Sequence, residues 1–183
     1  MLVLFIVSFL FYGWGEPKYM VIMVISICSA YGFGFLIGKY RETDKRKAKL
    51  WLAVSVCVNL AFLLFFKYAN FIVTNVSLIP GLDSLLAPVR VFTSTLKLPV
   101  GISFYTFQSM GYVLDVYREK VPAERNVGKL ALFVSFFPQI IQGPIGVYDQ
   151  LAHQLYDEHK YHFDNIRFGA QLILWGFFKK LVI

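Results

Sequence analysis

Tyr105, Gln108, Tyr112 and Asp115 follow one another at steps of three, four and three, with Gly101 four residues before the first. That spacing puts two phenols, an amide and a carboxylate on one stripe of a helix. Ser109 widens the stripe, while Phe104, Phe107, Gly111 and Leu114 take the opposite side. All but Asp115 fall in a stretch without charge, residues 98–114. Such groups are costly to leave in hydrocarbon, so they must face protein or a wet cavity. Two uses fit: hydrogen bonds that hold neighbouring helices together, or the wall of a reaction chamber or substrate path. Asp115, at the end of the stripe, is expected to pair with Arg118.

A second group lies in Pro138-Gln139-Ile140-Ile141-Gln142-Gly143-Pro144, inside the uncharged residues 130–148. Two prolines and a glycine break a helix, and irregular backbone at membrane depth survives only against protein or a water-filled cavity. The pattern predicts a re-entrant hairpin entering from the cytoplasmic face, with Gln139 and Gln142 lining a cavity; a kinked helix packed in a bundle is the alternative. His153, His159 and His162 sit in charged surroundings, DEHKYHFD around the last two, without the burial that tunes a catalytic base. No nucleophile elbow, phosphate loop or Cys/His cluster is present, so the residues themselves assign no catalytic group and no metal. Cys28 and Cys57 lie in apolar segments at no disulfide or metal spacing and read as small packing residues.

The elements that must hold these groups follow from composition. Of 183 residues, 57% are hydrophobic and 18% aromatic, above the share of an ordinary soluble domain. Four uncharged stretches, residues 19–38, 50–66, 98–114 and 130–148, approach the roughly 20 residues that cross hydrocarbon as a helix. The expected fold is an all-α polytopic transmembrane helix bundle with a re-entrant segment and interfacial helices, multi-pass in the cytoplasmic membrane, with the lipid bilayer as its first partner. This composition excludes disorder and, despite a pI of 9.4, a nucleic-acid-binding module.

The net charge of +7 reads as topology. Residues 39–49, KYRETDKRKAK, carry six basic and two acidic side chains between two uncharged stretches, which places them in the cytoplasm. Residues 19–38 then run inward, 50–66 outward and 98–117 inward, and by the same parity Met1 begins inside. Residues 67–97 lie outside, where 67–72 read as an interfacial helix before a turn at Pro80-Gly81. Residues 149–167 read as a solvated connector with a short amphipathic helix. Residues 1–183 form one domain, expected to be partial and cut at both ends.

At these motifs the chain resembles the membrane-bound O-acyltransferase family, in its bacterial alginate O-acetylation branch. The matching phrases are FKYANF at 66–71, LPVGISFYTFQSMGYVLDVYR at 98–118, FVSFFPQIIQGPI at 133–145 and GFFKKLVI at 176–183. The resemblance implies a larger bundle around a funnel, with no bound cofactor. An acyl group, acetyl by preference, passes from a thioester donor (acetyl-CoA or an acyl carrier) to hydroxyls of a cell-surface polysaccharide. A periplasmic or extracellular acyltransferase partner would complete the step on the export side. The family's general-base histidine lies downstream of the GFFKK phrase, and none of His153, His159 and His162 matches it. What carries over is scaffold and wall. Pro99 would start a helix, Gly101 would allow close approach, and Tyr105 with Gln108 would present hydrogen-bond donors to the acyl path; Ser103 and Tyr112 carry over with them, and Ser109 is a further candidate for the lining. Pro138, Gly143 and Pro144 would shape the break that carries Gln139 and Gln142. D-alanyl transfer to teichoic acid and a polytopic permease or flippase are the rival readings.

Overall fold

The computed structural model describes the chain apart from residues 80–82, 142, 144, 158–161 and 183, and the side chains of 83–85 and 153. Among the described residues every regular element is helical: α1 (Leu2–Gly15), α2 (Met20–Tyr40), α3 (Lys45–Val76), α4 (Asp83–Thr95), α5 (Ile102–Tyr117), α6 (Val127–Ser135), α7 (Phe137–Ile140), α8 (Tyr148–Tyr156) and α9 (Phe163–Val182).

Helices α2, α3 and α5 form the centre. α2 and α3 are long and apolar enough to cross a membrane, and only 28% and 17% of their most apolar windows are buried. Helices that turn so much apolar surface outward suit a membrane setting. The hinge between them is set by Asp44, whose carboxylate accepts the backbone N–H groups of Arg46 (3.1 Å) and Lys47 (3.2 Å) and so caps α3. The N–H of Lys47, then the Lys47 ammonium and the N–H of Arg46, hold its pKa below the usual carboxylate value. Residues 67–72 are not a separate interfacial helix; they continue α3, which spans 32 residues and about 48 Å. From Leu50 to Val76 there is neither Pro nor Gly, and the charge of Lys67 alone does not end a helix. The expected turn at Pro80-Gly81 lies outside the described residues. α4, with Pro88 inside it, packs on α3.

α5 runs parallel to α2. The Ser26 and Ser109 hydroxyls stand 3.4 Å apart, and further along Gly34 faces Tyr112 and Gly38 faces Ala123 and Val116. A Cβ on Gly34 would lie 2.7 Å from the Tyr112 ring, so only glycine lets the helices approach this closely. α5 begins at Ile102, not at Pro99. Pro99 is buried in the irregular lead-in and its carbonyl accepts the Ile102 N–H at 3.2 Å, while Gly101 is the N-cap at φ 76°. The other end closes in a Schellman arrangement: the Lys120 N–H donates to the Asp115 carbonyl (3.0 Å) and the Glu119 N–H to the Val116 carbonyl (3.2 Å). Glu119 takes the left-handed position at φ 61°, where glycine is the norm and another residue costs about 1–2 kcal/mol.

From there the chain leaves the Glu124 region, and Asn126 caps α6 by accepting the Gly128 N–H at 2.9 Å. At Phe136 (ψ 110°) the helix breaks, and Pro138 enters the first turn of α7. α7 ends against Gly101, and the chain then returns so that Tyr148 reaches Glu124 again. α1 packs on α6 and α7, and the Ser8 hydroxyl accepts the Phe137 N–H at 3.3 Å. α8 lies on α6 through Tyr148, Ala152 and Leu155, so this part of the expected connector is packed rather than solvated. α9 begins inside that connector and buries none of its residues. Cys28 and Cys57 are exposed on the apolar surface of α2 and α3, which corrects their reading as packing residues: both point away from the helix contacts.

Candidate functional site

α5 positions the polar groups because its stripe divides between two sets of neighbours. On one side Ile102, Tyr105 and Thr106 meet α2 and α3 around a cavity of about 30 Å³, room for about two water molecules. Ser26 and Ser29 from α2 and Asn59 from α3 complete its polar lining, and Ile22, Ile25, Val58 and Phe62 its apolar lining. The Asn59 amide donates to the Ser55 carbonyl one turn back, at 2.9 Å. Ser29 Oγ is buried without a hydrogen-bond partner among the described residues, whereas the buried Tyr105 hydroxyl is turned toward that of Tyr12. Tyr12 lies edge-on to the Tyr105 ring, but its hydroxyl donates to the Val100 carbonyl at 3.1 Å. Leaving a buried hydroxyl unpaired is costly, so the cavity presents unused hydrogen-bonding capacity.

On the other side Gln108 meets α7. Its Nε2 donates to Gln139 Oε1 at 2.9 Å, while its Oε1 is buried with no partner among the described residues. Two glycines fix this junction: a Cβ on Gly101 would run into the Ile140 carbonyl, and one on Gly143 into the Gln139 backbone. The Gly143 N–H donates to the Gln139 carbonyl at 3.0 Å, which folds the chain back on itself. Pro138 is exposed and Ser103 half-buried. Gln142, Pro144 and His159 lie outside the described residues, as does the His153 side chain, and His162 is exposed.

Tyrosine hydroxyls tie down the C-terminal end of the stripe. Tyr112 Oη accepts the Glu124 N–H at 2.9 Å, and Tyr148 donates to the Glu124 carboxylate at 2.9 Å. Tyr31 donates to the Arg125 carbonyl at 3.1 Å, and Tyr156 to that of Lys129 at 2.7 Å. Burial raises the Tyr156 pKa, so this hydroxyl remains a donor throughout the neutral range. Asp115 pairs with Lys120 at 3.7 Å, not with Arg118, because the Schellman turn folds Lys120 back over the last turn of α5.

The stripe thus reaches two places, Tyr105 and Ser109 toward α2 and α3 and Gln108 toward α7, with Tyr112 between them, its ring against Gly34 of α2 and its hydroxyl on Glu124. Sequence reasoning missed Ser26, Ser29, Ser55, Asn59 and Thr106. A signal existed: Ser26 and Ser29 are three apart and Ser55 and Asn59 four apart, so each pair shares a helix face inside an apolar run. Among the described residues no cluster of His, Cys, Asp and Glu could hold a metal.

The chain is all-helical among its described residues, two of its helices are long and apolar enough to cross a membrane, and a folded-back segment sets Gln139 against the polar face of α5. Comparison with known proteins narrows the class: over its whole length the chain is similar to proteins named as alginate O-acetylases and to one named as a peptidoglycan O-acetyltransferase. The protein named "Probable alginate O-acetylase AlgI" of Pseudomonas syringae pv. tomato is 36% identical over 182 residues, covering 100% of this chain and 34% of the relative. Its namesake in Pseudomonas aeruginosa is 37% identical over 189 residues, 100% of this chain and 34% of the relative. The "Peptidoglycan O-acetyltransferase" of Helicobacter pylori is 32% identical over 207 residues, 98% of this chain and 37% of the relative. The chain therefore spans about a third of the length of the curated relatives it matches. No family model matches the chain, and no solved structure does.

Proposed function

We propose that this chain supplies scaffold and channel wall to a membrane-bound O-acyltransferase that transfers an acetyl group to hydroxyls of a cell-surface polysaccharide. The relatives' names support acetyl as the group and alginate or peptidoglycan as the class of acceptor. In the reaction the acceptor oxygen attacks the thioester carbonyl, a C–O bond forms as the C–S bond breaks, and the hydroxyl proton leaves through a base. None of the described residues takes the role of that base. The donor is acetyl-CoA or an acyl carrier, and an extracellular acyltransferase partner is the expected recipient on the export side.

The observation that carries this reading is the unused hydrogen-bonding capacity of α5 at Gln108 Oε1, which is buried and unpartnered among the described residues. Preorganised donors and acceptors of this kind serve a passing ester or thioester better than they serve stability. On this reading residues 127–148 are a re-entrant hairpin in a polytopic bundle, since the chain goes from Glu124 to Gly101 and back to Glu124. Tyr105, Gln108, Ser109, Tyr112 and Gln139 then border the path, and Gln142, outside the described residues, joins them on the sequence pattern alone.

The test is turnover of a labelled acetyl thioester by membranes carrying the whole protein. Gln108→Leu should lower transfer about tenfold or more with membrane insertion intact by protease protection. Tyr105→Phe should lower transfer with little change in stability, because the Tyr12 hydroxyl it faces keeps its own bond to the Val100 carbonyl. Unchanged turnover in both variants contradicts the assignment.

A further inference from the structure

At the end of the bundle marked by the basic hinge, the C-terminus of α2, the N-terminus of α3 and the C-terminus of α5 enclose a notch of about 150 Å³ lined by Arg41, Lys45, Ala48, Tyr117 and Glu119. Three features set it apart from a surface crease. Arg41 is fixed: its Nη1 donates to the carbonyls of Val116 (3.0 Å) and Val121 (3.3 Å), which ties the guanidinium to the end of α5. Its Nε is buried without a partner among the described residues, and the guanidinium, held in place in this way, gives the notch a fixed planar cation of the kind that suits a phosphate. Neither Lys45 nor Glu119 closes an ion pair among the described residues, although Glu119 stands there in a backbone conformation that favours glycine.

We infer that this notch binds the headgroup of a zwitterionic phospholipid, a phosphodiester bearing a primary ammonium. Arg41 and Lys45 take the phosphate. Glu119 and the Tyr117 ring take the ammonium, by charge and by cation–π attraction. The depth is right, since the notch sits where two helices long enough to cross a bilayer end in the segment 39–49, and basic pockets between helix ends at this level hold lipid headgroups. Phosphatidylglycerol would offer Glu119 only neutral hydroxyls where an ammonium offers opposite charge, so the chemistry favours ammonium-bearing lipid. The inference rests on the membrane reading of α2 and α3, but not on acyl transfer.

The experiment is native mass spectrometry of the whole protein released from nanodiscs of mixed phosphatidylethanolamine and phosphatidylglycerol, with inorganic phosphate as a soluble competitor. The unaltered protein should retain phosphatidylethanolamine preferentially, with inorganic phosphate displacing little of it. Lys45→Ala should weaken retention about fivefold, the contribution of one basic residue near a membrane surface. Glu119→Gly keeps the left-handed turn and should raise the melting temperature while abolishing the preference between the two lipids. Equal retention of both lipids by the unaltered protein, or a preference that survives Glu119→Gly, overturns the inference while the membrane reading stands. Displacement by phosphate alone would make the ligand a soluble anion and overturn the lipid source. A protein that does not enter nanodiscs would overturn both.

Discussion

α5 and α9 are both apolar helices, of 16 and 20 residues, yet α5 buries nine residues and α9 none. The difference lies in where the polar groups fall. In α5 they form a stripe, and each part of it meets polar groups on a neighbour: Ser109 meets Ser26, Gln108 meets Gln139 and Tyr112 meets Glu124. In α9 the charges sit near the ends, at Asp164, Arg167, Lys179 and Lys180, with only Gln171 among the apolar residues between. Hydrophobic content therefore does not select the inner helix in a membrane chain; the side chains that lipid cannot solvate do.

The contrast breaks most visibly at the glycines. Gly101→Ala should destabilise the protein by about 2–4 kcal/mol, because alanine is strained in the left-handed conformation and its Cβ would press on the Ile140 carbonyl. Thermal unfolding of the purified protein checks this, and a cost below about 1 kcal/mol would mean that the α5–α7 junction is loose. Next in size is the glutamine pair. Gln108→Leu and Gln139→Leu should each cost about 1–3 kcal/mol by stranding the other amide, while the double variant recovers part of the loss. Additive losses would show that the 2.9 Å bond carries no coupling.

In α9 the sign should reverse. Nothing lies within 4 Å of a Cβ added at Gly176, so Gly176→Ala should stabilise the helix by about 0.5–1 kcal/mol. A loss there would reveal a tight partner for α9 and erase the contrast. The smallest effect belongs to the hinge before α3. Asp44 has a lowered pKa, so its cap is complete above the ordinary aspartate value of 3.8 and is lost as the pH falls through the lower folded-state value. Hydrogen exchange of the Arg46 and Lys47 amides should quicken in that range, and Asp44→Asn should flatten the profile.

Much of this was legible in the sequence, for definite reasons. The hinge at 39–49, the break near Pro138 and the single polar face of α5 each rest on a signal that tertiary context does not override: dense charge, a missing N–H, or a costly group in an apolar run. The rest depended on partners. α3 runs on through Lys67 because nothing in the chain stops it, although Lys67 and Asn70 read as a change of environment. Asp115 turns to Lys120 because Glu119 adopts a conformation that its identity gives no reason to expect. Ser26, Ser29 and Asn59 are small polar residues in apolar runs, and only the packing of α2 and α3 on α5 gathers them round one cavity. The division of the stripe between two sets of neighbours was likewise invisible to a period count, which finds a face but not what lies against it.

The claim on which the account turns is that the polar face of α5 looks into protein and cavity, not into acyl chains. Spin labels placed one at a time from Ile102 to Tyr117 in the whole protein, with Cys28 and Cys57 replaced, report it through collision with dissolved oxygen, which concentrates in lipid. The account predicts minima at Tyr105, Gln108, Ser109 and Tyr112 and higher values at Phe104, Phe107, Gly111 and Leu114. Maxima at the first four positions would contradict it.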